Sequence, residues 1–135
     1  MENKGQKILI VDDEADVCTV VKDALEYEGY ATDVATTPNQ ALQFLDTMTY
    51  DLILIDIRLC GGMSGIDIIK HCRNIPKCPK IIVISATPKK ALQPVFEQEG
   101  IAGLLLAIWE KPADVMPNKF IMKIKNVFEG KTGRF

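Results

Sequence analysis

Apolar residues follow two alternating rhythms along this chain of 135 residues. Three runs rich in Ile, Val and Leu, at 7–11, 51–56 and 80–85, predict strands covered on both faces, as in a parallel sheet flanked by helices. Shorter runs at 31–35 and within 104–109 predict two more strands. Between them the spacing becomes helical. Val17, Val20, Val21, Ala24 and Leu25 mark a helix over 15–28 that Gly29 stops, and Thr37-Pro38 starts a second reaching Met48, with Ala41, Leu42 and Leu45 inward. A third runs to about Arg73 with Ile66, Ile68, Ile69 and Cys72 on its apolar side. A fourth spans 89–99 although Pro94 removes a backbone donor, and a fifth spans 114–128 with Val115, Phe120, Ile121, Ile124, Val127 and Phe128 facing the core. Five strand–helix units predict a flavodoxin-like α/β domain, a doubly wound parallel sheet in the order 2-1-3-4-5. Residues 1–6 are expected to be disordered, 7–129 to form the domain, and 130–135 to fray.

Composition narrows the possible partners. The net charge of −2 offers no general attraction for nucleic acid or an anionic membrane, and no apolar run is long enough to span a bilayer. Cys18, Cys60, Cys72 and Cys78 form no CxxC and no Cys/His metal spacing, so reduced thiols and a cytoplasmic setting are expected. His71, the only histidine, is expected on the exposed side of the third helix.

The chemistry gathers at strand ends. The first strand runs into Asp12-Asp13-Glu14, the third ends at Asp56, the fourth at Ser85, and Lys111 follows the fifth. In the 2-1-3-4-5 order the crevice opens between strands one and three, at the acids. An Asp-Asp-Glu there caps a helix N-terminus equally well, Ser85 can satisfy backbone groups, and Lys111 alone would be a surface lysine. Taken together they fit metal-assisted phosphate chemistry. Hard oxygen ligands hold Mg2+, a carboxylate attacks phosphorus, and a hydroxyl and an ammonium take the phosphoryl oxygens.

The blocks Ile8–Glu14, Asp51–Leu59, Ile82–Ala86 and Lys111-Pro112 resemble the signature of the response-regulator receiver domain over residues 7 to about 129. The resemblance implies a phosphoacceptor at Asp56, charged by a histidine kinase or histidine phosphotransfer protein. It implies Mg2+, with Mn2+ as a substitute, on Asp12, Asp13, Asp56 and the main-chain carbonyl of Arg58. Ser85, Ala86 and Lys111 would contact the phosphate, and the bond before Pro112 would be cis. A receiver promotes its own phosphorylation and dephosphorylation and is not a dedicated enzyme. Output would pass through the fourth helix, fifth strand and fifth helix to a downstream protein, with the chain a monomer or a weak phosphorylation-dependent dimer. No effector follows the fifth helix, so contact with neither DNA nor membrane is expected of this chain itself.

Four departures from that family bear on mechanism. The loop Arg58-Leu59-Cys60-Gly61-Gly62-Met63-Ser64-Gly65 lacks the usual proline at 60 and is one residue longer. Ser85 replaces the commoner threonine, and Pro94 is expected to shorten or bend the fourth helix. The interval from Gly100 to Lys111 is about four residues longer than usual, which leaves Leu104 or Ile108 at the usual aromatic switch position and Trp109 one step off. Ser85, Leu104, Ile108 and Trp109 are therefore the switch candidates. Two other functions compete: a receiver-like interaction module that takes no phosphate, and a small Mg2+-dependent phosphatase. The second is disfavoured because Asp56-Ile57-Arg58 lacks a second acid to activate water.

Overall fold

The computed structural model describes residues 5–57, 65–111 and 117–129. Strands β1 (Lys7–Val11), β2 (Ala31–Ala35), β3 (Leu52–Asp56), β4 (Lys80–Ser85) and β5 (Leu105–Glu110) form one parallel sheet in the order β2-β1-β3-β4-β5. Helices α1 (Ala15–Tyr27), α2 (Pro38–Thr47), α3 (Gly65–Cys72), α4 (Lys89–Gln98) and α5 (Pro117–Glu129) connect and follow them. The flavodoxin-like expectation holds. Alternation along the strands divides the interior in two. Leu9, Val11, Ile53, Ile55, Ile81 and Val83 face one core with Ala41, Ile68 and Phe96, while Ile8, Ile10, Leu52, Leu54 and Ile82 face another with Cys18, Leu25, Phe120 and Ile124.

Local chemistry sets the helix limits. Thr37 Oγ1 accepts from Gln40 N at 3.2 Å with Pro38 in the first turn, and α2 ends at Thr47, one residue short of Met48. Gly29 (φ +101°) and Gly100 (φ +75°) take the left-handed conformation that stops α1 and α4. The α1 stripe is rotated from its expected position. Cys18 and Leu25 are buried, whereas Val20 is 63% exposed and Val17 37%. Helix α4 runs without a break through Pro94 and ends at Gln98, one residue short of the expected 99; Phe96, fully buried two residues after the proline, anchors it. His71 is half-buried rather than exposed, with its Nε2 2.8 Å from Asp46 Oδ1.

The surplus between Gly100 and Lys111 goes into two features. A 3-10 turn covers Ala102–Leu104, and the β4–β5 register shifts between Ile81↔Leu105 and Ile82↔Ala107, leaving Leu106 as an extra, 43% exposed residue. Ile108 then pairs with Val83 and Trp109 with Ile84. The expectations for the 58–64 loop, for residues 1–4 and 130–135, and for Asp114 and Val115 in the fifth helix lie outside the described residues.

Candidate functional site

Strands β1 and β3 carry their acids to the crevice at the sheet's switch point. Asp12 and Asp56 are buried, while Asp13 and Glu14 are exposed, and one carboxylate oxygen from each of the four lies within 4.8 Å of the others. Asp12 also turns the chain into α1, because its Oδ1 accepts from Glu14 N at 3.0 Å. The N-cap of α1 is Glu14, which makes no side-chain cap hydrogen bond, so the helix-capping alternative for this acid run is not what the structure shows. The Cys18 thiol donates to Asp12 O at 3.3 Å.

Lys111 supplies a cation to this cluster. Its Nζ donates to Asp56 Oδ2 at 2.8 Å and lies 3.6 Å from Asp12 Oδ2. Burial pulls the ammonium's pKa down most strongly, but the Asp56 hydrogen bond and the charges of Asp56, Asp12 and Glu14 outweigh it and hold the pKa above 10.5. Asp12 shifts upward from 3.8, chiefly through burial and with help from Asp56 and Glu14, against the opposing Glu14 N–H and Lys111. A hard-oxygen set carrying more negative charge than one lysine offsets, with a buried member that resists ionising, suits a small divalent cation such as Mg2+.

Ser85 ends β4, one residue past Ile84, the register partner of Asp56. It is fully buried. Its Oγ accepts from Thr87 N at 2.9 Å, and its carbonyl accepts from Lys111 N at 2.8 Å. Ala86 beside it is exposed and small. A cavity of about 340 Å³ opens against Asp12, Asp56 and Lys111, walled by Val17, Val20 and Phe120 among others. The structure thus gathers Asp12, Asp13 and Asp56, with Lys111 against Asp56 and Asp12 and Ser85 on the adjoining strand end. The Arg58 carbonyl and the Pro112 peptide bond lie outside the described residues.

The switch candidates other than Ser85 lie on the 3-10 turn and on β5. Ile108 is buried in the core that holds Phe96 of α4, and Leu104 packs against its edge. Trp109 faces the opposite core, edge-on to Phe120 at 5.8 Å between ring centroids, with Lys123 Nζ 4.9 Å from its ring. Sequence reasoning passed over Glu110, whose Oε2 accepts from Lys89 N at 2.7 Å. The signal was faint: α4 begins Pro88-Lys89-Lys90, a helix start with no acceptor side chain of its own.

Comparison with known proteins agrees with this geometry. The model of the family described as response regulator receiver domain matches residues 8–114. The chain belongs to that family. It is therefore a receiver domain of a response regulator, a signalling domain of two-component systems. It is 35% identical over 82 residues to the sporulation initiation phosphotransferase F of Bacillus subtilis, covering 61% of this chain and 65% of that protein. It is 38% identical over 77 residues to the transcriptional regulatory protein CpxR of Escherichia coli, covering 57% of this chain and 32% of that one. The match thus spans less than two thirds of the length of either relative. Among solved structures, a CheY-like receiver domain from Methanospirillum hungatei superposes with a TM-score of 0.79 at 26% identity, covering 96% of this chain and 99% of that one. The response regulator TrrA of Thermotoga maritima, in complex with Mg(2+)-BeF, gives a TM-score of 0.72 at 26% identity, covering 90% and 98%. Among the described residues of this receiver, no helix is long and apolar enough to cross a membrane.

Proposed function

We propose that this receiver takes a phosphoryl group on Asp56 from the phosphohistidine of a histidine kinase or phosphotransfer protein. The observation that carries the reading is the buried Asp56 carboxylate, held by Lys111 at 2.8 Å inside a cluster of four acids that opens on a cavity. A carboxylate oxygen of Asp56 attacks phosphorus, the bond from phosphorus to the donor's histidine nitrogen breaks, and the electron pair leaves with the imidazole. Asp12, Asp13 and Asp56, with the Arg58 carbonyl, would hold Mg2+. When bound, it supplies the positive charge that lets an anionic phosphoryl group approach an anionic cluster.

Lys111 turns from Asp56 to the phosphoryl oxygens and holds the charge that develops there. The Ser85 hydroxyl, which accepts from Thr87 N, keeps its own proton free to donate to a phosphoryl oxygen. Ala86 leaves room beside it. The exposed Val17 and Val20 line the cavity next to the acids and offer an apolar contact to the phosphodonor. Exposed Val95 on α4 and Leu106 on the edge strand β5 offer apolar contact to a downstream protein. Buried Ile108 favours a readout that does not depend on an aromatic ring changing rotamer.

Incubation with acetyl phosphate and Mg2+, followed by intact-protein mass spectrometry, tests the reading. Wild type should gain one phosphoryl group, and Asp56→Asn or chelation by EDTA should abolish the gain. A wild type that stays unmodified would leave the phosphate-independent interaction module as the function.

A further inference from the structure

Helix α4 starts without a side-chain cap of its own. Its N-cap is Pro88, which has no side-chain acceptor, and its first two residues are lysines, whose charge opposes the positive end of a helix dipole. The carboxylate that satisfies this end comes from another element. Glu110, the last residue of β5, accepts from Lys89 N at 2.7 Å across 21 positions of sequence. Its neighbour is Lys111, which holds Asp56, and its register partner is Ser85.

These contacts close a small ring. The segment Ala86-Thr87-Pro88 joins Ser85 to Lys89, and both of its ends are fastened to the end of β5. Ser85 O accepts from Lys111 N at 2.8 Å, and Lys89 N donates to Glu110. Inside the ring, Thr87 N donates to Ser85 Oγ at 2.9 Å, so a movement of that hydroxyl carries Thr87 with it. A connection this short has little slack. A phosphoryl group on Asp56 that draws the Ser85 hydroxyl toward β3 pulls the segment away from β5, and the Lys89–Glu110 hydrogen bond takes the strain.

We propose that Glu110 is the positioning residue that ties the first turn of α4 to the phosphorylation site, so that this turn is released when Asp56 is modified. The proposal rests on Asp56 being the phosphoacceptor. It gives the domain a route from site to α4 that runs along backbone and carboxylate, where neither Leu104 nor Ile108, the two residues that can stand at the usual aromatic position, carries a ring. Glu110 touches no reacting atom and acts through Lys89.

Amide hydrogen exchange on the full chain, alone and with Mg2+ and beryllofluoride as the phosphoryl mimic, tests this in wild type, Glu110→Gln and Glu110→Ala. In wild type the amides of Lys89–Leu92 should exchange severalfold faster once the mimic is bound. Glu110→Ala should exchange roughly tenfold faster there already in the free protein, the effect of losing a charge-assisted hydrogen bond. It should still bind the mimic and show no further change in α4. Glu110→Gln, which keeps an acceptor oxygen, should fall nearer wild type. A Glu110→Ala protein whose α4 responds to the mimic as wild type does, or whose free-state exchange is unchanged, overturns the proposal and leaves Asp56 as phosphoacceptor untouched. A wild type that neither binds beryllofluoride nor takes phosphate defeats the Asp56 reading, and this proposal with it.

Discussion

Replacing Asp12 by Asn should make the metal-free protein more stable while weakening its response to Mg2+. The four carboxylates of the cluster lie within 4.8 Å of one another. Two unit charges at that distance repel by about 0.9 kcal/mol in water and by about 3.5 kcal/mol at an effective dielectric of about 20. Buried Asp56 acts on Asp12 near the upper figure, and exposed Asp13 and Glu14 near the lower. Lys111, 3.6 Å away, returns about 4.6 kcal/mol of attraction at the same effective dielectric. Repulsion and attraction thus roughly balance, and burial of the charge, the largest cause, raises the Asp12 carboxyl. Asn removes the charge and keeps the Oδ1 that accepts from Glu14 N.

The expected gain for Asp12→Asn is about 1 kcal/mol, measured by urea unfolding in EDTA at pH 7. Because the folded pKa of Asp12 is raised, its contribution is fully present below the unfolded value of 3.8 and is lost as pH rises through the folded value. The advantage of the Asn variant over wild type should therefore grow from acid toward neutral pH. At a tenfold excess of Mg2+ over its Kd, wild type should gain about 1.4 kcal/mol, and Asp12→Asn clearly less. An Asn variant less stable than wild type in EDTA, or one gaining equally from Mg2+, would refute the electrostatic reasoning.

Three further outcomes follow from the same geometry. Lys111→Met removes the cation beside two buried carboxylates and should cost about 2 kcal/mol in EDTA, below the 3–5 of a fully buried pair because the cluster opens to solvent. Mg2+ should recover part of that loss, and an unchanged urea midpoint would contradict the pairing. The Cys18 thiol is pushed up to about 11, first by burial and then by the charges of Asp12, Asp13 and Asp56. Peptide mapping after iodoacetamide at pH 8 should find exposed Cys78 alkylated and Cys18 intact, and the reverse order would refute this. A Cβ on Gly65 would lie 3.1 Å from both Ile55 Cγ2 and Ile57 Cδ1. Gly65→Ala should therefore cost about 1–3 kcal/mol by overpacking next to Asp56, and a melting temperature equal to wild type would show that the site yields more readily.

The fold and the acid cluster were legible in the chain because each depends on residue type at a position that the strand pattern itself marks. Lys7–Val11, Leu52–Asp56 and Lys80–Ser85 are apolar on both faces, as a covered parallel strand requires, and the acids stand where the first two of those runs stop. What stayed hidden depended on contacts distant in sequence. On α1, Val20 and Cys18 both suit an apolar stripe, and packing of the helix against β1 and β2 buries Cys18. The surplus after Gly100 could be counted, but Leu104, Leu105, Leu106 and Ile108 are too alike to reveal a bulge at Leu106. Pro94 spoke against α4, yet burial of Phe96 and the Glu110 cap outweigh the lost backbone bond. Glu110 is a charged residue beside a charged residue, and only tertiary structure brings Lys89 to it.

A covalent phosphoryl group at Asp56 is central to the proposed function, and locating that group tests it most directly. Protein treated with acetyl phosphate and Mg2+, then reduced with borohydride, converts an aspartyl phosphate to homoserine, and peptide mass spectrometry reads its position. Homoserine is expected at position 56 and should be absent when Mg2+ is chelated. Homoserine at Asp12 or Asp13, or none anywhere in a protein shown to be folded, would contradict the proposed function.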